Sequence, residues 1–414
     1  MNKIPFYKAN NLILSKDDDK FYEGDTLLKK DESGGTGYSS DDFDQLIRGV
    51  VSEFIDQSFD HIVFLVGAGG SVVMRDEELD PNYGKTVAML SITVFSQLRE
   101  QSFRFPNDKE DKEVFSIPEM SEAIRYGEIT NKDGDLLVDG KPFNFEDFLS
   151  KLLTYIEFVD INEKAKWEDS RRAIYTIIER ETSYNYDSMK LKHAAVLNTL
   201  SKKLSSENKL CVVTTNYDTL LEDAADKQGY TVFDGFSFSR IPKFDDDMFE
   251  WHLSKHVSNV KTRENIYKDQ VIDLLKIHGS LTWRRSEDGE SVIRLAKGTE
   301  GEPVMIFPSS SKYMQSYQQP YFELFSRFQE LLKQPNTLLI TSGFSFADDH
   351  ISRMIIQAIT HNPSLFTLIS DYSINPEKPN NNWQKLMSMQ DETYSIAFLK
   401  ATLNDNLAFY MGGQ

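Results

Sequence analysis

The chain has 414 residues, 40 % of them hydrophobic and 12 % aromatic, with charged residues interspersed and a formal net charge of −19. That length suits one large domain or two of ordinary size with a substantial core, and no low-complexity tract points to disorder. A chain this acidic repels phosphate backbones, which disfavours nucleic acid as a direct ligand.

Residues 1 to about 38 are polar, with acidic and glycine-rich pieces (KDDDK, DESGGTG), and read as an N-terminal extension holding one short strand. The opening MNKIPFYKANN lacks the apolar core of a signal peptide. The main domain is expected over 39–414. It starts with a helix capped by Ser39 or Ser40, whose apolar positions Phe43, Leu46, Ile47, Val50, Val51, Phe54 and Ile55 share one face.

HIVFLVGAGGS follows, a continuous apolar run that ends in glycines. Runs without alternation indicate strands covered on both faces, as in parallel sheets. The signature recurs at 209–218, 273–281, 303–310, 336–345 and 364–371, with helical patterns at 321–334 and 350–360 between the later runs. Strands alternating with helices predict an α/β fold with a doubly wound, mostly parallel Rossmann-like sheet. From about 85 to 206 the alternation breaks into successive helical patterns, read as a helical insertion beside the sheet. Residues 237–270 read as a long loop with a short helix, and SIAFLKATLNDNLAFYMGG closes the chain as a strand and a helix. No apolar run approaches the roughly 20 residues that span a bilayer.

The only cysteine, Cys211, lies inside the strand that leads to TTNYD. One cysteine allows no internal disulfide and no zinc site of several thiolates, and it fits a reducing cytosol. A cytoplasmic protein without structural zinc is the expectation. The short basic stretches Ser201–Lys209 and Arg284-Arg285, and the acidic run Asp245–Asp247, are read as solvated surface.

The polar residues stand where strands end. Gly67-Ala68-Gly69-Gly70-Ser71, Thr215-Asn216-Tyr217-Asp218, His278-Gly279-Ser280, Pro308-Ser309-Ser310-Ser311 and Ser342-Gly343-Phe344-Ser345 each follow an apolar run. In an open parallel sheet the ligand sits at the carboxyl ends of the strands. Each feature alone has a plain alternative. Asp218 can cap the next helix, His278 can be a satisfied core histidine, and the glycines can be a simple turn. Together they favour a site. The glycine turn lacks the third glycine of GxGxxG; a helix N-terminus after it would offer N–H groups to a pyrophosphate.

In order along the chain, GAGGS, TTNYD and IHGSLTW resemble the three motifs of the sirtuin-like (SIR2-like) NAD-binding fold. ITSGFSFADDHI resembles the GxSxxD segment of bacterial SIR2-like proteins of anti-phage defence. The resemblance spans roughly residues 60 to 360. It implies Asn216 and His278 as catalytic residues, with Asp218 orienting ribose or stabilising a cationic transition state. It implies Gly67, Ala68, Gly69 and Ser71 at the pyrophosphate, Thr215 at the rim, and Ser342 and Gly343 on the adenosine side; Asp348 is a weaker candidate, equally suited to capping a helix. Histidine, with an ordinary pKa of about 6.5, suits a general base.

Two departures argue against protein deacylation. A single cysteine cannot build the sirtuin four-cysteine ribbon, and SVVMRDEELDPNYGK lacks the GIPDFR pattern. The resemblance therefore implies an NAD+ hydrolase that releases ADP-ribose and nicotinamide, with NAD+ as substrate and no further cofactor or metal. Control is expected from homo-oligomerisation or a separate protein, a HerA-type ATPase being the partner the resemblance suggests. The alternatives are a non-catalytic NAD or ADP-ribose sensor, a deacylase or an ADP-ribosyltransferase. A nuclease is poorer, because no metal–carboxylate constellation stands out.

Overall fold

A computed structural model describes residues 3–29, 37–75, 78–132, 134–257, 265–299, 301–305, 319–392 and 394–413. Among them eleven strands make one sheet: β1 (Ile4–Ala9), β2 (Leu12–Asp17), β3 (Lys20–Glu23), β4 (Thr26–Leu27), β5 (His61–Val66), β6 (Leu210–Thr214), β7 (Thr231–Phe233), β8 (Val271–Lys276), β9 (Thr337–Ser342), β10 (Leu365–Asp371) and β11 (Ile396–Lys400). Their order is β7-β8-β6-β5-β9-β10-β11-β1-β2-β3-β4. Every pair from β7 to β11 is parallel. Every pair from β11 to β4 is antiparallel. The doubly wound, mostly parallel α/β sheet is present.

Both faces are covered, which is why the central strands read as unbroken apolar runs. On β5, Val63 and Leu65 join one core, and Ile62, Phe64 and Val66 the other. The first face carries α8 (Tyr321–Lys333), α9 (Asp349–His361) and α10 (Asn381–Gln390), through residues such as Phe328, Ile355 and Leu386. The second carries α1 (Ser40–Ile55), α6 (His193–Ser201), α7 (Leu220–Lys227) and α11 (Leu407–Tyr410), through Ile47, Leu197, Ala224 and Leu407. Ser39 caps α1 in a capping box with Asp42.

Residues 4–27 depart from the sequence reading, which takes them as an extension with one short strand. They form four antiparallel strands that enlarge the sheet, with Tyr7 opposite Leu399 of β11. The signal is in the turns. Ala9 pairs with Leu12 and Asp17 with Lys20, leaving two-residue loops in which Asn10 (φ 48°) and Asp18 (φ 49°) are left-handed. Asn and Asp tolerate that region, so the NN and DD dipeptides are hairpin signals, not polar filler.

The segment between β5 and β6 is also less helical than the sequence suggests. It holds α2 (Val87–Gln97), α3 (Ile117–Ala123), α4 (Phe145–Ile156) and α5 (Lys164–Thr182), but also a three-stranded sheet (Ile129–Lys132, Asp135–Val138, Lys141–Pro142) and a hairpin (Ser102–Phe103 with Lys112–Glu113). It has its own core around Phe148, Leu152, Trp167 and Ile177, to which Leu281 and Met305 also belong. Of the strand expected over 303–310 only residues 303–305 are described, and they form a single bridge, Gly279 to Met305; the rest lies outside the described residues. Pro308 to Ser311 of the expected rim lie outside the described residues.

The chain leaves β5 towards β6 on one side, whereas β9 leads on to β10 on the other. The point between β5 and β9 is therefore the topological switch, where the connections diverge and open a crevice. No helix among the described residues is long and apolar enough to cross a membrane.

Candidate active site

A cleft of about 1860 Å³ opens at that switch point. Its floor is the carboxyl ends of β5, β6, β8 and β9, and one wall is the inserted segment. Of the residues singled out from sequence, Ala68, Gly69, Ser71, Thr215, Asn216, Asp218, His278, Gly343 and Asp348 line it. Gly67 and Ser342 do not. Ser342 is fully buried on β9, and Gly67 faces Gly343.

The glycine turn works differently from the sequence expectation. No long helix follows it. The chain makes one 3-10 turn, Ala68–Ser71, and α2 begins only at Val87. The glycines are required by another loop: Gly67 N–H donates to Ser342 C=O (3.0 Å) and Gly69 N–H to Gly343 C=O (2.9 Å). Gly343 has φ +63°, and a Cβ there would lie 2.3 Å from the Gly70 nitrogen. Side-chain-free backbone lets the β5 and β9 loops touch, and that contact forms the crevice floor.

Onto this floor the β6 loop is pinned. Thr214 Oγ1 donates to Val66 C=O (2.9 Å), and the Thr215 N–H donates to the same oxygen (3.2 Å). Asn216 is 9 % exposed, and its Nδ2 donates to Gly67 C=O and to Ser71 Oγ, both at 3.0 Å. Ser71 Oγ in turn donates to Asp218 Oδ2 (2.6 Å). The other carboxylate oxygen, Oδ1, accepts from Leu220 N–H (3.1 Å) at the start of α7. Asp218 thus both steadies the helix start and lines the cleft.

His278 follows β8 and is 3 % exposed, with Nε2 3.4 Å from Asp348 Oδ2. Asp348 caps α9 through Oδ1, which accepts from His350 N–H (3.0 Å) and Ile351 N–H (3.3 Å). Capping leaves its second oxygen directed at the imidazole, so the cap and the site contact coexist. Phe325 of α8 backs the ring at a centroid distance of 6.4 Å.

Several lining residues escape sequence reasoning. Tyr217 packs against the core of the inserted segment, and burial pushes its phenol well above the usual range. Thr86, the cap of α2, and Tyr184, whose hydroxyl accepts from Lys85 N–H (2.8 Å), come from the insertion. Thr86 carries a cap signal before an apolar run; Tyr184 carries none. Asp371 ends β10, and burial raises its carboxyl to about 6. Its position was legible, because it closes an apolar run like the other rim residues. Cys211 is buried packing, with burial raising its thiol. Arg284 corrects the solvated reading of Arg284-Arg285. It is 5 % exposed, donates to Leu281, Trp283 and Thr299 carbonyls, and pairs with Glu179 of α5 at 3.2 Å.

Residues 210–398 match the family model of the SIR2-like domain. The match takes in Asn216, Asp218, His278, Ser342, Gly343 and Asp348, but not β5 and its glycine turn. The matched segment therefore contains four of the five central sheet strands around the switch point, β6, β8, β9 and β10, and β5 lies outside it. A solved structure described as the structural basis for the mechanism and regulation of Sir2 enzymes aligns at 10 % identity over 88 % of this chain and 94 % of its own. Its TM-score is 0.31, too low for the overlay to carry weight. Comparison with curated proteins gives no match. Among the described residues no three His, Cys, Asp or Glu side chains come together as a metal site.

Proposed function

We propose that the protein is an NAD+ glycohydrolase that releases ADP-ribose and nicotinamide. The observation that carries the reading is the convergence of Asn216, Ser71, Asp218 and His278 on the floor of one deep cleft, with three of the four inside the SIR2-like region. Cleaving the glycosidic bond builds positive charge on the ribose, and a fixed carboxylate beside that charge stabilises it more than water can. Asp218 supplies the carboxylate, held by Ser71 and Leu220 so that it needs no reorganisation. Asn216 has Nδ2 engaged with Gly67 and Ser71, which turns Oδ1 into the acceptor for a ribose hydroxyl or the attacking water. The water forms the new bond to the anomeric carbon as nicotinamide leaves with the bonding electron pair. His278 takes the proton that the water loses, steadied by Asp348.

The resemblance to SIR2-like defence proteins supports a role in bacterial anti-phage defence by NAD depletion, in a cytoplasmic homo-oligomer held silent until a HerA-type ATPase or similar partner engages it. The full chain, assayed alone and with such a partner, is expected to form nicotinamide and ADP-ribose in equal amounts. His278→Ala is expected to lose on the order of 100-fold or more in kcat, as for removal of a general base. Binding of NAD+ without turnover under both conditions contradicts the reading in favour of a sensor. ADP-ribose appearing on protein or an acetyl-lysine requirement contradicts it in favour of a transferase or deacylase.

A further inference from the structure

A buried cation lies beneath the Asn216 loop and has no part in the chemistry described above. Lys276, the last residue of β8, is 2 % exposed. Its Nζ donates to the main-chain carbonyl of Asp218 and lies 3.0 Å from Glu222 Oε1 in the first turn of α7. Burying an ammonium group is costly unless it is paired and hydrogen-bonded, and an apolar side chain would fill the same space without that cost. Packing alone does not account for it.

The neighbouring bonds show what the lysine adds. The segment that carries His278 holds the Asn216 loop at three carbonyls. Ile277 N–H donates to Thr214 C=O and Leu281 N–H to Tyr217 C=O, both at 3.0 Å. Any residue supplies those two main-chain bonds. The third, at Asp218, depends on the Lys276 side chain, and it acts on the residue whose carboxylate lines the cleft. Lys276 is also two residues from His278 along the same backbone, so one segment places both the imidazole and the carboxylate.

We propose that the Lys276–Glu222 pair is a positioning device for the reaction above: it sets the Asn216–Asp218 loop in register with His278, and Glu222 neutralises the cation so that the Asp218 charge is retained. This rests on the glycohydrolase reading. An unmatched ammonium group at that point would oppose the positive charge that develops on the ribose; Glu222, whose carboxyl is raised by burial and drawn back down by Lys276, lies 3.0 Å from the ammonium group to offset it.

The test uses the full chain with NAD+ as probe, with kcat, KM and Tm measured for Lys276→Met, Lys276→Arg and Glu222→Gln. A misplaced loop is expected to cost Lys276→Met about 100-fold in kcat. Its KM should stay within about twofold, because the cleft-lining groups remain. Lys276→Arg, which keeps a donor and a charge, is expected to recover much of the loss. Glu222→Gln leaves the lysine uncompensated at nearly constant shape, so its kcat should fall as well; it decides the matter if Lys276→Met does not fold. Wild-type kcat in the folded Lys276→Met or in Glu222→Gln, with Tm as the only change, marks the pair as structural and overturns the inference while the glycohydrolase reading stands. A wild-type chain that cleaves no NAD+, alone or with its partner, overturns both.

Discussion

The cleft has a floor of strand ends and a wall of inserted helices, and the two hold their residues by different means. On the floor, polar groups are fixed by hydrogen bonds between loops: Asn216 to Gly67 and Ser71, Ser71 to Asp218, Leu281 to Tyr217. In the wall, Phe148, Trp167 and Ile177 form a core of their own, and the wall meets the floor largely through apolar side chains such as Leu281 and Met305. Short polar bonds fix a side chain to within a few tenths of an ångström, which chemistry requires; apolar packing sets the volume and shape of the space above. Changes to the floor should therefore reach kcat, and changes to the wall should reach stability and substrate fit.

The largest stability effect is expected in the wall. Phe148 is fully buried against Tyr126 and Phe143, at centroid distances of 5.5 and 5.4 Å. Phe148→Ala should cost about 3–5 kcal/mol in denaturant unfolding, with the kcat of the surviving folded enzyme close to wild type. A kcat loss larger than the loss of folded protein would mean that wall and floor are not separable. Gly343→Ala comes next. It forces a left-handed residue and a backbone collision at Gly70, so a loss of about 2–3 kcal/mol is expected, accompanied here by a fall in kcat because the floor itself shifts.

Tyr184→Phe removes a wall hydroxyl without creating a cavity. KM for NAD+ should rise severalfold, roughly 1 kcal/mol of binding, with kcat unchanged; a selective kcat effect would move Tyr184 from wall to floor. The smallest effect concerns pH. Burial raises Asp371 to about 6 from the ordinary value of 3.8, so the folded state binds the proton more tightly than the unfolded chain. Its contribution to stability is thus favourable below about pH 4 and falls as pH rises to about 6. Asp371→Asn should gain on the order of 1 kcal/mol at pH 8 and little at pH 4. Equal shifts at both pH values would contradict that origin.

The same contrast governs what could be read in the sequence. The floor was legible because parallel strands buried on both faces read as apolar runs, and polar residues at their ends stand out against them. TTNYD and IHGSLTW therefore mark the floor directly. The reason for the glycines did not show, because the partner of Gly67 and Gly69 is Gly343, more than 270 residues away along the chain. The wall was legible only as helical periodicity. Tyr184 and Tyr217 become cleft residues through tertiary packing, which leaves no local pattern. Arg284 misled for a related reason: beside Arg285 it reads as surface charge, and only the fold brings Glu179 and three carbonyls around it. At the N-terminus two short turns hid a set of strands that the composition presented as a polar tail.

The most direct test of the floor is Asn216→Ala, with nicotinamide and ADP-ribose release followed alongside Tm. Asn216 touches the glycine turn, Ser71 and the cleft but contributes little apolar packing, so kcat should fall on the order of 100- to 1000-fold with Tm nearly unchanged. Wild-type turnover in a folded Asn216→Ala protein would contradict the assignment of the chemistry to the strand ends.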